Sequence, residues 1–266
     1  MRWVICALVA LVLPPGAYAA DLDVLRGSQS VGPAYFTNWS GFYVGGQVGF
    51  SDANADFSKS TQAPIANELR NTTLESISDP SQVPMLGTAD HTGMSYGGYI
   101  GYNSQWQNAM IGIEANYTHT SLSLNAPNSP IGRSGFSDGA GDTYAIVFSG
   151  SGTLTSLAYG SLRARAGWIF DNFLPYGFAG LTVGMANINV ATNLEFFENS
   201  FAPFTLTTNS GQSSELLYGF VAGGGLDIAV TSNVFLRAEY EYTRFLPASG
   251  VVVSIAGAHF GAGIKF

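Results

Sequence analysis

Three observations predict an eight-stranded antiparallel transmembrane β-barrel, up-and-down in topology, with three long extracellular loops. First, the final stretch, VVVSIAGAHFGAGIKF from Val251 to Phe266, alternates strictly over its second half and ends on an aromatic residue. Ala256, Ala258, Phe260, Ala262, Ile264 and Phe266 are apolar, whereas Gly257, His259, Gly261, Gly263 and Lys265 are small or polar. An alternation of period two puts one set on each face of a strand. Second, seven earlier stretches are amphipathic in the same way, and they are joined alternately by long and short connections. Third, charged residues make up only 11% of the 266, against 33 glycines and 13% aromatics. Such a balance suits barrel strands with aromatic girdles.

The chain opens with Arg2, an apolar run from Trp3 to Leu13, a Pro14-Pro15-Gly16 break and Ala17-Tyr18-Ala19. This is the form of a secretory signal peptide over residues 1–19, with an A-x-A cleavage site. The apolar run is too short for a spanning helix, which needs about 20 residues. The one cysteine, Cys6, falls inside it, so the mature chain is expected to use neither disulfides nor thiol chemistry. Without Arg2, nine basic residues stand against 18 acidic ones, a net charge of −9 with His neutral. That argues against nucleic acid as a partner, since phosphate binding wants a basic patch. No later stretch holds 18 uninterrupted apolar residues, so no transmembrane helix is expected.

Residues 20–38 read as a polar, mobile periplasmic lead, and the barrel is expected over 39–266. In the first strand, Phe42, Val44, Val48 and Phe50 oppose Tyr43, Gly45, Gln47 and Gly49. Residues 51–91 are mostly polar, with a short helix around Ile65–Glu75 and prolines at 64, 80 and 84 that forbid a continuous ladder. The second strand, near Met94–Tyr102, carries Tyr96, Ile100 and Tyr102 in phase, and a turn at Asn103–Asn108 holds Trp106. The third, Ala109–Thr118, sets Ile111, Ile113, Ala115 and Tyr117 outward and Gly112, Glu114 and Asn116 inward. A second long loop is expected from Ser121 to Gly152.

The fourth strand, Leu154–Phe170, sets Leu162, Ala164, Ala166, Trp168 and Phe170 against Ser161, Arg163, Arg165 and Gly167. After a turn at Asp171–Leu174, the fifth, Pro175–Ala186, has the weakest alternation. A third loop covers Asn187–Ser213. The sixth strand, Ser214–Val230, and the seventh, Val234–Phe245, flank a turn at Thr231–Asn233. Leu246–Gly250 leads into the closing strand. Short periplasmic turns and long extracellular loops are the asymmetry of an outer-membrane barrel.

The stretch WSGFYVGGQVGF, with Ala20-Asp21-Leu22 and Leu25-Arg26-Gly27-Ser28, resembles the porin-like, OmpA-type outer-membrane immunogenic proteins of alphaproteobacteria. Leu69–Glu75, Glu114–His119, Ser161–Gly167 and the terminal Gly263-Ile264-Lys265-Phe266 fit the same family. The resemblance covers nearly the whole mature chain. It implies a fold and a location, the outer membrane, and it brings no catalytic set. The implied partners are outer-membrane lipid, lipopolysaccharide and the barrel-assembly machinery, whose assembly signal would be Phe260, Ile264 and Phe266. The residues name no extracellular partner.

The inward charges are Glu114, Arg163, Arg165, Asp227, Arg237, Glu239, Glu241 and Lys265. The interior of an eight-stranded barrel is just wide enough for side chains to fill, and buried charges must pair. Glu114 is expected to meet Arg163 or Arg165, and Lys265 to meet Glu239 or Glu241. The eight form either a structural plug or a gate that opens by re-pairing, and size favours the plug.

His119 and Ser121 share an outward face and suggest a lipid-modifying site, but Glu114 has the opposite parity and cannot orient the histidine. No spacing among His91, His119 and His259 suggests a metal site. Some members of the wider family bind haem, which His91 or His119 at the rim would ligate. Trp39, Trp106, Trp168, Tyr43, Tyr102, Tyr117, Tyr176, Tyr240 and Tyr242 are girdle candidates. Phe196, Phe197, Phe201 and Phe204 in the third loop mark either a contact surface or loop packing. The function expected is a structural, envelope-integrity and surface-interaction role, with no enzyme activity and no cofactor. The alternatives are a narrow porin-like channel and haem binding.

Overall fold

Strand pairing closes on itself in the computed structural model, which describes residues 38–70, 79–128, 130–137, 143–198, 204–209 and 213–266. The expected signal peptide and the lead up to residue 37 lie outside these. The strands are β1 (Gly41–Asp56), β2 (Thr88–Trp106), β3 (Ala109–Ala126), β4 (Ile131–Ser137), β5 (Thr143–Trp168), β6 (Phe173–Glu198), β7 (Phe204–Asn209), β8 (Ser213–Ala229), β9 (Val234–Phe245) and β10 (Val252–Lys265). The ring runs β1-β2-β3-β5-β6-β8-β9-β10 and back to β1, all antiparallel. Val44 lies opposite Ile264 and Val48 opposite Phe260, so the closing strand staples the first. No helix among the described residues is long and apolar enough to cross a membrane.

The two short strands add nothing to the ring. Gly152 of β5 pairs with Ala126 of β3, and Phe148 pairs with Ile131 of β4, so β4 continues β3 after a break. Pro127 and Pro130 fall in that break, and proline cannot donate to a ladder. On the other side, Ile188 of β6 pairs with Ser213 of β8 and Ala191 with Asn209 of β7, so β7 continues β8.

Much of what reads as loop is therefore strand. β3 and β5 extend well into residues 121–152, and within 187–213 β6 runs on to Glu198 and β7 occupies Phe204–Asn209. Along β1, the outward residues change from Phe42, Val44, Val48 and Phe50 to Asp52, Asn54 and Asp56. The inward ones change from Tyr43, Gly45, Gln47 and Gly49 to Ser51, Ala53 and Ala55. The strand keeps its parity while its polarity inverts. That inversion is what a strand rising out of a membrane would show, with lipid outside it at first and then water outside and an ordinary core within. Phe42 to Phe50 spans roughly 20 Å of wall at ~3.3 Å per residue and a tilt of about 40°, close to the height of a lipid-facing band.

In β6 the alternation is hidden because Leu174, Tyr176 and Phe178 point inward and are buried, so both faces are apolar. The expected helix is met in part by α1 (Gln62–Leu69), which begins before Ile65, and residues 71–78 lie outside the described ones. Its buried Ile65 and Leu69, one turn apart, join Val83, Met85, Ile146, Phe148 and Leu194. Phe196 packs against this cluster and Phe197 is exposed; Phe201 lies outside the described residues.

The short connections sit where predicted, although Trp106 ends β2 instead of lying in the turn. Gln107 and Asp171 take positive φ there, at 52° each. Three of the girdle candidates are interior residues: Trp39, Tyr43 and Tyr176 are 2%, 2% and 6% exposed. The others, Trp106, Trp168, Tyr102, Tyr117, Tyr240 and Tyr242, are exposed on the outer wall.

At the end of β10, the Phe266 N–H donates to the Phe42 carbonyl at 2.8 Å, while its ring lies exposed on the outer wall with Phe260 and Ile264. Deleting Phe266 is expected to lower the fraction of heat-modifiable, folded barrel recovered from outer membranes. Insertion at the level of the unmodified chain would contradict this account of the closing strand.

Candidate functional site

The inward charges converge in the lower half of the barrel because the register puts them side by side. Glu114 on β3 lies directly opposite Arg163 on β5, and Asp227 on β8 opposite Arg237 on β9. Arg163 holds Glu114 at 2.6 Å, Glu239 at 2.7 Å and Glu241 at 3.2 Å. Arg165 reaches Glu114 at 2.9 Å and Asp227 at 2.8 Å. Arg237 reaches Glu114 at 2.8 Å and Asp227 at 2.9 Å, with Glu239 at 3.9 Å. All seven side chains are essentially inaccessible. Unpaired ions in such surroundings cost several kcal/mol, and here each has more than one partner or a second hydrogen bond.

Tyrosines finish the pairing. Tyr43 donates its hydroxyl to Glu114 at 2.7 Å, Tyr159 to Glu241 at 2.7 Å and Tyr176 to Glu239 at 2.8 Å. Arg165 stacks over Tyr176 at 3.8 Å, Arg237 over Tyr99 at 3.9 Å and Arg163 over Phe178 at 4.3 Å. Guanidinium faces are weakly hydrated and pack well on rings, so burying them this way recovers part of the lost hydration. The signal for these aromatics was present in the strand parity, which puts Tyr43 with Gln47. Their residue type pointed instead to a membrane girdle.

Lys265 does not join the network. Its Nζ donates to the carbonyl of Asn38 and lies 5.1 Å from the Trp39 ring centroid. Glu239 and Glu241 point to a level already claimed by Arg163, so the expected cross-strand pair with Lys265 does not form.

Above the charges lies a polar layer in which Gln47 bonds Asn116 and Thr118 at 3.3 and 3.2 Å. Above that comes an apolar cluster including Ala53, Phe57, Leu124, Leu154, Leu157, Ile188 and Phe245, all buried. The α1 cluster stands over it on the inner face of β5 and β6. Below the charges, Trp39, Tyr43, Tyr99, Met110, Leu174 and Phe235 form a third cluster. The site is thus an ionic layer, topped by the polar Gln47 layer and enclosed by apolar clusters below and above the pair, and its chemistry is that of mutual neutralisation.

The other candidates are dispersed. His119 lies on the outer face, against the Tyr96 ring at 5.2 Å, whereas His91 lies opposite buried Ala53 on the inward face. The wall separates the two, so they do not meet at a shared site. Ser121 is exposed beside His119, and Glu114 is inside, as its parity required.

Residues 27–266 match the family described as outer membrane protein beta-barrel domain. The chain belongs to that family. This outer membrane β-barrel is 31% identical over 86 residues to the "22 kDa outer membrane protein" of Rhizobium leguminosarum bv. viciae, covering 32% of each chain. It is 30% identical over 107 residues to the "25 kDa outer-membrane immunogenic protein" of Brucella ovis, covering 40% of this chain and 42% of that one. The matched part spans about a third to two fifths of these relatives' length. The resemblance read from the sequence is borne out, as is the outer-membrane location. Among solved structures, Neisserial surface protein A aligns over 85% of this chain and 98% of its own, at 17% identity and a TM-score of 0.39.

Arg237→Met leaves Glu114 and Asp227 each short of a buried cation, and the expected loss is about 3–5 kcal/mol. Urea titration of the folded barrel in detergent reads it as a lower midpoint. Lys265→Met, outside the network, is expected to lose about 1 kcal/mol, the worth of one hydrogen bond. Equal midpoints for the two variants would contradict the assignment.

Proposed function

We propose that this outer-membrane barrel is a non-conducting surface protein, with a structural role in the envelope and an interaction role above it. The observation that carries this reading is the stacking of four filled layers inside one narrow ring: an aromatic floor, the ionic network, the Gln47 layer and the apolar cap. A water path would have to break ion pairs and then cross an apolar core, and neither step is compensated. The exposed apolar band, from Phe42 and Ile113 to Leu181 and Phe260, would contact outer-membrane lipid. Assembly by the barrel-insertion machinery would read the closing strand.

The tall part of the barrel supports the interaction role. β5 and β6 are 26 residues each, and with β4, β7 and α1 they raise a packed body above the lipid-facing band. Lipopolysaccharide would surround its base, where Asp52, Asp56 and Asp90 face outward with Asn54 and Thr92. A rigid platform of this kind presents its upper surface without losing much entropy on contact.

Planar-bilayer recording on the refolded chain tests the reading. The expected result is a folded, heat-modifiable barrel that gives no steps in the unmodified chain. Stable steps that change when Arg165 or Glu239 is reversed in charge would replace the plug by a gated channel.

A further inference from the structure

We propose that the barrel interior holds one transition-metal dication, bound by His259, Glu239 and Glu241. These three side chains are buried and offer one ligand atom each, all within 4.8 Å of one another. A point no farther than about 2.8 Å from all three exists in any such triangle, so shifts of ~0.7 Å bring them to ordinary metal–ligand distances. One imidazole with two carboxylates is the donor set of zinc and its neighbours, not of magnesium or calcium.

The histidine supplies the independent observation. His259 is 1% exposed; its Nε2 lies 3.2 Å from Ser95 Oγ, and its Nδ1 has no hydrogen-bond partner. A buried ring nitrogen without a partner is costly. With the Nε2 proton donated to Ser95, Nδ1 presents a lone pair, the arrangement by which a hydrogen-bonded imidazole is fixed as a ligand. The ring also leans the right way. A Cβ at Gly49 on β1 would sit 2.7 Å from its Cδ2, and one at Gly257 would sit 2.9 Å from its Cε1. The Cδ2–Nε2 edge thus faces β1 and β2, leaving Nδ1 toward β9. There Glu239 lies opposite His259, and Glu241 opposite Gly257. A lone pair facing two acceptor-only carboxylates calls for a cation between them.

Charge points the same way. The network holds four carboxylates, Glu114, Asp227, Glu239 and Glu241, against three guanidiniums, Arg163, Arg165 and Arg237. It is formally one positive charge short, so a cation is favoured there, and a dication turns that deficit of one into an excess of one. Glu239 and Glu241 already receive Arg163, Tyr176 and Tyr159, so the metal would use their remaining lone pairs and compete with Arg163. Apolar layers above and below make folding the moment at which the metal enters.

The test refolds the full chain in the presence of ZnCl2, removes free metal by gel filtration and measures zinc per folded barrel. A parallel sample with CoCl2 reads the ligand field by visible absorption. The unmodified chain is expected to retain one metal with a nitrogen-containing ligand field. His259→Gln, which keeps bulk and a polar group, is expected to bring the retained metal down at least tenfold. Glu239→Gln should do the same, while His91→Ala and His119→Ala should not. Heat-modifiable mobility confirms that each variant has folded, and Ser95→Ala serves as a milder probe should His259→Gln fail to fold. A folded unmodified barrel without metal overturns the proposal. So does metal that survives His259→Gln, or Ser95→Ala retaining metal as firmly as the unmodified chain.

Discussion

Ring closure is the constraint on which everything else depends. Hydrocarbon offers no partner for a backbone N–H or carbonyl, so a sheet that crosses a membrane must leave no edge. Here the edge is removed by pairing β1 with β10 from Tyr43–Lys265 to Asp56–Val252. Once eight strands close, the interior has a fixed and narrow width, and it must be filled with side chains. The inward residues of each strand are therefore chosen by their neighbours across the lumen as much as by those along the chain.

The filling changes with height because the surroundings change. At membrane level the interior is polar and tightly paired: three arginines share four carboxylates, and Tyr43, Tyr159 and Tyr176 donate the remaining hydrogen bonds. Above the membrane the same strands continue with apolar residues inside, and Leu154, Leu157 and Ile188 form a core of the usual kind. One ladder thus serves first as a membrane wall and then as a soluble β-structure. Replacing a buried ionic layer by an apolar filling of equal volume is often neutral or stabilising, so stability alone does not account for it. What it does fix is register, since a one-residue slip of any of β3, β5, β8 or β9 would turn its charges toward lipid.

Strand number, direction and in-membrane facing were legible in the alternation, and the same alternation puts all eight expected charges on the inward face, although Lys265 does not join the other seven. Strand ends were not. The polarity of β1 inverts after Phe50, so Asp52, Asn54 and Asp56 read as loop although the ladder continues. The Ser- and Asn-rich stretches of β3 and β6 mislead for the same reason. Trp39, Tyr43 and Tyr176 were placed in a girdle because an aromatic at a barrel end ordinarily meets the interface; here they pack beneath the arginines or floor the lumen. Lys265 has the right parity for the network but lies a level too low, a distance that parity alone does not encode. His259 looked isolated because Glu239 and Glu241 lie on the preceding strand and Ser95 on β2, and only strand pairing and closure bring them beside it.

The central claim is that the lumen is solid at membrane level. Apart from Cys6 the chain has no cysteine, so single thiols can be introduced cleanly. Ser161 points inward in the polar layer and is 8% exposed, whereas Thr207 in β7 is exposed above the membrane. Reaction of Ser161→Cys and Thr207→Cys with a charged, water-borne thiol reagent in folded barrels separates the two views. The account predicts that Thr207→Cys is modified rapidly and Ser161→Cys only after unfolding. Rapid modification of Ser161→Cys in a barrel that is still folded would mean that water reaches the middle of the lumen, and the plug would have to be abandoned.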